Sequence, residues 1–216
     1  MMRIDEYFPR KKQARLIESI KVKDGKIYRL EQHKKRMAYS LKALYNSSAQ
    51  LDFSDIQKEV HSLDKGLCKL RIVYTPHYFK YELLPYKIKP IKSLHCVSTR
   101  SLDYPFKYEE RTGLDKLYAQ RADADDILIL KSGMITDTYY GNVAFLKDGI
   151  WHTPQLPLLH GTQRQELLDK GVIIEKPLTK DDIPRYERLR IFNAMIEFGE
   201  VELGVGRIRE QITESR

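Results

Sequence analysis

Two Asp-Gly pairs, Asp24-Gly25 and Asp148-Gly149, each lie between runs rich in β-branched and aromatic residues. Such a pair supplies the left-handed backbone that a tight hairpin turn demands, so each marks a point where one strand reverses directly into the next. ARLIESIKV, the turn KDGK and IYRL form the first predicted hairpin; NVAFLK and IWHTP flank the second turn. Strand reversals in both halves, with helical segments between them, put the chain in the mixed α/β (α+β) class. Its 216 residues suit one large domain or two compact ones.

The spacing predicts a helix over residues 31–46, where Met37, Leu41 and Leu44 fall on one face that packs on the hairpin sheet. SDIQKEVHSL reads as a second amphipathic helix with Ser54 as its N-cap, and LCKLRIVYT as a strand. Pro85 and Pro90 restrict YELLPYKIKPI to an edge strand or irregular passage. After the STRSLDYP segment come a short helix at 112–121, the strand DILILK, a turn at Ser132-Gly133, and the strand-like MITDTYYG and NVAFLK. TQRQELLDK reads as a helix closed by Gly171, followed by strands in VIIEKPL and RLRIFNAM. The expected organisation is an N-terminal α/β domain over 1–98, a link over 99–106 and a C-terminal α/β domain over 107–216.

With 42% hydrophobic and 31% charged residues the composition is that of a globular protein. No run approaches the ~18 apolar residues of a membrane-spanning helix, and MMRIDEYFPRKKQAR lacks the apolar centre of a signal peptide, so a cytoplasmic protein without membrane contact is expected. Cys68 and Cys96 form no ligand cluster, and no metal site is expected. The net charge of +8 comes from cations spread from Lys11 to Arg207 with acidic neighbours. That pattern favours a solvated surface that attracts small anions over a nucleic-acid partner. Neither a dinucleotide or P-loop glycine motif nor a zinc-protease or serine-hydrolase motif is present.

One lysine stands out chemically. Lys107, in PFKYEER, sits between Phe106 and Tyr108, a setting that would desolvate an amine and make it more nucleophilic toward an aldehyde. Taken alone, such a lysine is more often a surface charge.

Four passages, in order, change that reading: IESIKVKDGKIYRLEQHKKRM, then KYEER with ADADDILIL, then GMITDTYYGNVAFLKDGIWHTP, then LLHGTQRQELL. Together they resemble the class IV aminotransferase-like enzymes, a family that includes branched-chain and D-amino-acid aminotransferases and aminodeoxychorismate lyases. The resemblance spans residues 14–203. It implies a two-domain fold type IV architecture of mixed sheets with helices, an active site between the domains, a homodimer, and pyridoxal 5′-phosphate (PLP) as cofactor. Lys107 would carry the Schiff base and shuttle a proton between substrate and cofactor. Arg36 would grip the phosphate by paired, permanently charged hydrogen bonds; taken alone it reads as an exposed helix arginine in a KKR cluster. Asp137 stands where the family carries a glutamate facing the pyridine nitrogen. Gly161, Thr162 and Gln163 would present N–H groups to the phosphate at a helix start, although a plain helix cap accounts for them equally well. IFNAM adds Asn193 and Ala194 as further phosphate contacts. At its start the chain is expected to lack much of the family's first hairpin.

Two features bear on the reaction. Branched-chain aminotransferases place a tyrosine five positions after the lysine, where this chain has Thr112; aminodeoxychorismate lyases often place an arginine four positions after it, as Arg111 does here. The resemblance therefore implies a small-molecule amino substrate, with 4-amino-4-deoxychorismate cleaved to pyruvate and 4-aminobenzoate and Arg111 as a substrate contact. The other readings are a class IV aminotransferase, a non-catalytic protein that keeps the fold, and Arg111 as a structural helix-start residue.

Overall fold

The computed structural model describes residues 14–63 and 66–209. The readings of the chain's first residues and of Lys11 fall outside them. The mixed sheets with helices expected of the family are what the chain forms, and by contacts it separates into two compact units.

The first unit holds the described residues up to Lys87 together with Phe106–Glu110. Its antiparallel sheet runs in the order β2-β1-β3-β4, with β1 at Leu16–Lys23, β2 at Lys26–Ile27, β3 at Leu67–Thr75 and β4 at Tyr78–Pro85. Asp24 (φ 50°) and Gly25 (φ 74°) both adopt the left-handed turn conformation between β1 and β2. The Pro85-bearing strand lies at the sheet edge, where a missing N–H costs no ladder bond. Helix α1 (Leu30–Tyr45) buries His33, Met37, Ser40, Leu41 and Leu44, the expected stripe with two polar members. Helix α2 (Ser54–His61) buries Ile56 and Val60. Its N-cap is Phe53 rather than Ser54; Asp52 Oδ1 instead accepts the Ser54 N–H (2.9 Å), the aspartate two residues earlier reaching forward to the helix start.

Strand β1 is buried on both faces, and Glu18 shares a face with Leu16, Ile20 and Val22. On its edge away from β3, β1 is joined by residues 106–110: Ile17 N–H donates to Lys107 O (2.9 Å), Glu109 N–H donates to Arg15 O (2.9 Å), and Leu16 bridges Tyr108. Main-chain bonds thus fix the backbone of Lys107 to a strand some ninety positions earlier.

The second unit comprises residues 88–105 and 111 onward. Strands β5 (Leu94–Thr99) and β6 (Asp126–Lys131) pair in parallel, with helix α3 (Thr112–Tyr118) between them in the chain. An antiparallel meander follows through β7 (Met134–Thr138), β8 (Asn142–Lys147) and β9 (Ile150–Pro154). Helix α4 (Thr162–Asp169) then leads to β10 (Ile174–Lys176), parallel to β9, while β11 (Arg188–Phe192) lies antiparallel to β8. Two short strands, β12 (Glu202–Gly204) and β13 (Ile208–Arg209), pair with β11 and β5. Leu128, Leu130, Val143, Phe145, Leu189 and Ile191 centre the core. Among the described residues no helix is long and apolar enough to cross a membrane.

Candidate active site

The expected residues of the first unit are Arg36 and Lys107. Glu18 is fully buried, so its carboxylate needs partners to offset lost hydration. It has three donors. Arg36 Nε donates to Oε1 (2.9 Å), Arg36 Nη2 to Oε2 (2.5 Å), and His33 Nδ1 lies 2.8 Å from Oε2. Burial alone would raise the Glu18 pKa, but the Arg36 charge and the His33 contact outweigh it and hold the carboxyl at about 2. Burial keeps fully enclosed His33 below its ordinary pKa; as Glu18 is ionised, the Nδ1 nitrogen is the protonated one. Lys107 is half-buried, its neighbours Phe106 and Tyr108 are buried with their rings edge to face at 6.1 Å, and its charge is felt at His33.

In the second unit, Asp137 on β7 sits opposite Asn142 on β8. Asn142 Nδ2 donates to Asp137 Oδ1 (2.8 Å) and to Leu159 O (2.9 Å), and Leu159 N–H donates to Asp137 Oδ2 (2.9 Å). Burial raises the Asp137 pKa to about 6 despite these donors. The same network reaches the start of α4, where the N-cap is Gly161, a residue with no side chain of its own to cap the helix. A helix start lacks intrahelical acceptors for its first N–H groups, here those of Thr162 and Gln163. Gln163 is buried and its side chain turns aside, Nε2 donating to Glu197 Oε2 (2.6 Å), while its Oε1 has no partner among the described residues.

Asn193 ends β11 in a side-chain-closed turn: Oδ1 accepts from Met195 N–H (2.7 Å) and Ile196 N–H (3.0 Å), and Nδ2 donates to Tyr140 O (3.0 Å). Ala194 is half-buried in that turn. Arg111 Nη2 donates to Tyr139 O (2.7 Å), and its guanidinium lies 4.3 Å from the Tyr139 ring centroid. The loop 139–141 therefore gathers Arg111, Asn193 and, through Asn142, Asp137 and Gly161. Arg111 occupies the start of α3, the structural alternative raised by the sequence.

The sequence pattern described as Amino-transferase class IV matches residues 110–203. An uncharacterized protein of Haemophilus influenzae is 33% identical over 182 residues, covering 83% of this chain and 97% of that one. The crystal structure of a putative 4-amino-4-deoxychorismate lyase from Haemophilus somnus 129pt matches with a TM-score of 0.80 at 32% identity, over 85% of this chain and 97% of that one. The chain belongs to the class IV aminotransferase family of enzymes. A hypothetical aminotransferase from Mycobacterium tuberculosis, in a PLP-bound form, shares the fold with a TM-score of 0.72 at 16% identity, over 92% and 84% of the two chains.

Several polar residues of this class IV chain escape a reading that looks for cofactor contacts alone. Glu18 is a lone carboxylate in an otherwise apolar strand face, which is itself a signal. Asn142 lies inside the third marker passage, four residues past Thr138. Buried Arg164 ties α4 to β9 and β10, donating to Pro154 O (2.8 Å) and Glu175 Oε1 (2.7 Å). Buried Asp126 accepts the Tyr139 N–H (3.3 Å), and burial raises its pKa to about 6.

Proposed function

We propose that this enzyme uses PLP and cleaves 4-amino-4-deoxychorismate to pyruvate and 4-aminobenzoate. The observation that carries the cofactor reading is that the helix start at Gly161–Gln163 is joined through Asn142 to a buried carboxylate, Asp137. The donor set fits PLP: a helix N-terminus and a guanidinium suit the phosphate, a carboxylate suits a pyridine nitrogen, and an amine suits the aldehyde.

In this reading Arg36 and the N–H groups of Thr162 and Gln163 hold the phosphate, with Asn193 and Ala194 adding their turn. Asp137, as a carboxylate, would keep a proton at the ring nitrogen, and a positive ring beside it would offset the burial that raises its pKa. Bound PLP supplies an electron-withdrawing ring that makes the substrate α-proton acidic. Lys107 Nζ would take that proton as general base. The lyase outcome is favoured by the relative of 32% identity and by Arg111 four positions after Lys107, with no tyrosine at 112. A homodimer belongs to the same reading, as the family resemblance implies, and light scattering after size exclusion tests it; a cytoplasmic location is proposed from the sequence's lack of a long apolar run.

The deciding assay incubates purified protein and PLP with 4-amino-4-deoxychorismate, with and without a 2-oxo acid. Release of 4-aminobenzoate without the acceptor is expected. Turnover that requires the acceptor identifies an aminotransferase instead. Failure of added PLP to give a visible absorption band that Lys107→Ala abolishes identifies a protein that keeps the fold without the chemistry.

A further inference from the structure

We propose that Glu18 is a positioning residue for the cofactor phosphate: its carboxylate fixes the Arg36 guanidinium in the orientation that meets the anion. This rests on the reading of Arg36 given above.

A guanidinium carries five N–H donors arranged in forks, and Glu18 engages the fork made by Nε and Nη2 with both of its oxygens. The fork made by Nη1 and Nη2 is thereby turned away from β1. Glu18 cannot itself move, because it is fully buried on a strand paired along its whole length with β3, and the equally buried His33 holds Oε2 from one turn earlier on α1. His33 and Arg36 are three residues apart, so both meet one acceptor from the same helix face. The long arginine side chain is thus immobilised during folding rather than on binding, which removes an ordering cost worth about 2- to 10-fold in affinity.

A simple charge-neutralising role for Glu18 predicts the opposite sign. Removing a negative charge beside Arg36 would make the surroundings more positive and tighten phosphate binding. Loss of positioning weakens it.

The test is the ratio of affinities for PLP and for pyridoxal, which lacks the phosphate, measured by absorbance titration of the cofactor-free protein. Thermal unfolding and circular dichroism verify the fold. In Glu18→Gln the ratio is expected to fall about 3- to 10-fold through weaker PLP binding, with pyridoxal affinity unchanged. Placed on Arg36→Ala, the same change should no longer lower the ratio, since no guanidinium is left to position. An unchanged or increased ratio in folded Glu18→Gln overturns the proposal. If Glu18→Gln does not fold, Glu18→Asp, which keeps the charge but withdraws it by one methylene, is read in the same way. If Arg36→Ala itself leaves the ratio unmoved, the assignment of Arg36 to the phosphate fails, a result separate from the behaviour of Glu18.

Discussion

Asn142 Oδ1 occupies the space that a β-carbon would need at Gly161, far inside the 3.0 Å that real side chains respect. The backbone of Gly161 (φ −71°, ψ 144°) is one any residue adopts, so glycine is required here for room rather than for conformation. Nor can Asn142 retreat cheaply, since its Nδ2 holds both Asp137 and Leu159 O. Gly161→Ala should therefore lower the unfolding free energy by about 1–3 kcal/mol, the usual cost of overpacking. It should also weaken PLP binding, and urea unfolding with a cofactor titration checks both effects.

Removing the amide tests the same knot from the other side. Asn142→Ala leaves Asp137 Oδ1 and Leu159 O without that donor in buried surroundings, a loss of about 1–3 kcal/mol. Asn142→Asp should be worse at neutral pH, because it sets a second carboxylate against Asp137. Unfolding of the Asp variant near pH 5 should recover part of the deficit, since one of the pair can then share a proton.

The apo protein should have a stability maximum at mildly acidic pH. Glu18 holds its proton less tightly in the folded chain, at about 2 against an ordinary 4.5, so its contribution is present above about 4.5 and is lost as pH falls toward 2. Asp126 and Asp137 are shifted the other way, from 3.8 to about 6, through burial. Their contribution is present below about 4 and is lost as pH rises through 6. Denaturation midpoints measured from about pH 3 to about pH 7 should show both limbs. Glu18→Gln should flatten the acid side, and Asp137→Asn part of the other.

Arg111 joins the start of α3 to the loop after β7 by one hydrogen bond and by stacking on Tyr139, contacts that a compact ammonium cannot reproduce together. Arg111→Lys is expected to cost about 1–2 kcal/mol of stability despite keeping the charge. A thermal shift equal to that of wild type would remove the structural role.

How much of this was visible in the sequence depends on the range of each interaction. The first hairpin, the β6–β9 meander and α1 carry local signals: Asp24-Gly25, Ser132-Gly133, Asp148-Gly149 and a helical stripe. Strand β5 was not foreseen, because its partner β6 lies across α3 and a parallel pair leaves no turn signal between its members. The 3₁₀ helix Lys180–Arg185 went unseen too, although Thr179 and Asp182 form its capping box. For the site, chain order singled out Arg36 and Asp137 by resemblance, but not what holds them. Glu18 reaches Arg36 from a different element, and Asn142 reaches Asp137 across a strand pair, so both partnerships exist only once the sheets have formed. VIIEKPL supplies a strand of only three residues, Ile174–Lys176, since only that stretch pairs with β9.

The pairing of residues 106–110 with β1 has a consequence for synthesis. A ribosome must extend the chain as far as Glu110 before the outer edge of β1 can be covered, and by then β5 has already emerged, still without β6. The first unit is therefore complete only after part of the second has been made, so a fragment cut after Lys87 would leave the Ile17 N–H and the Arg15 carbonyl bare at the edge of β1 and invite self-association.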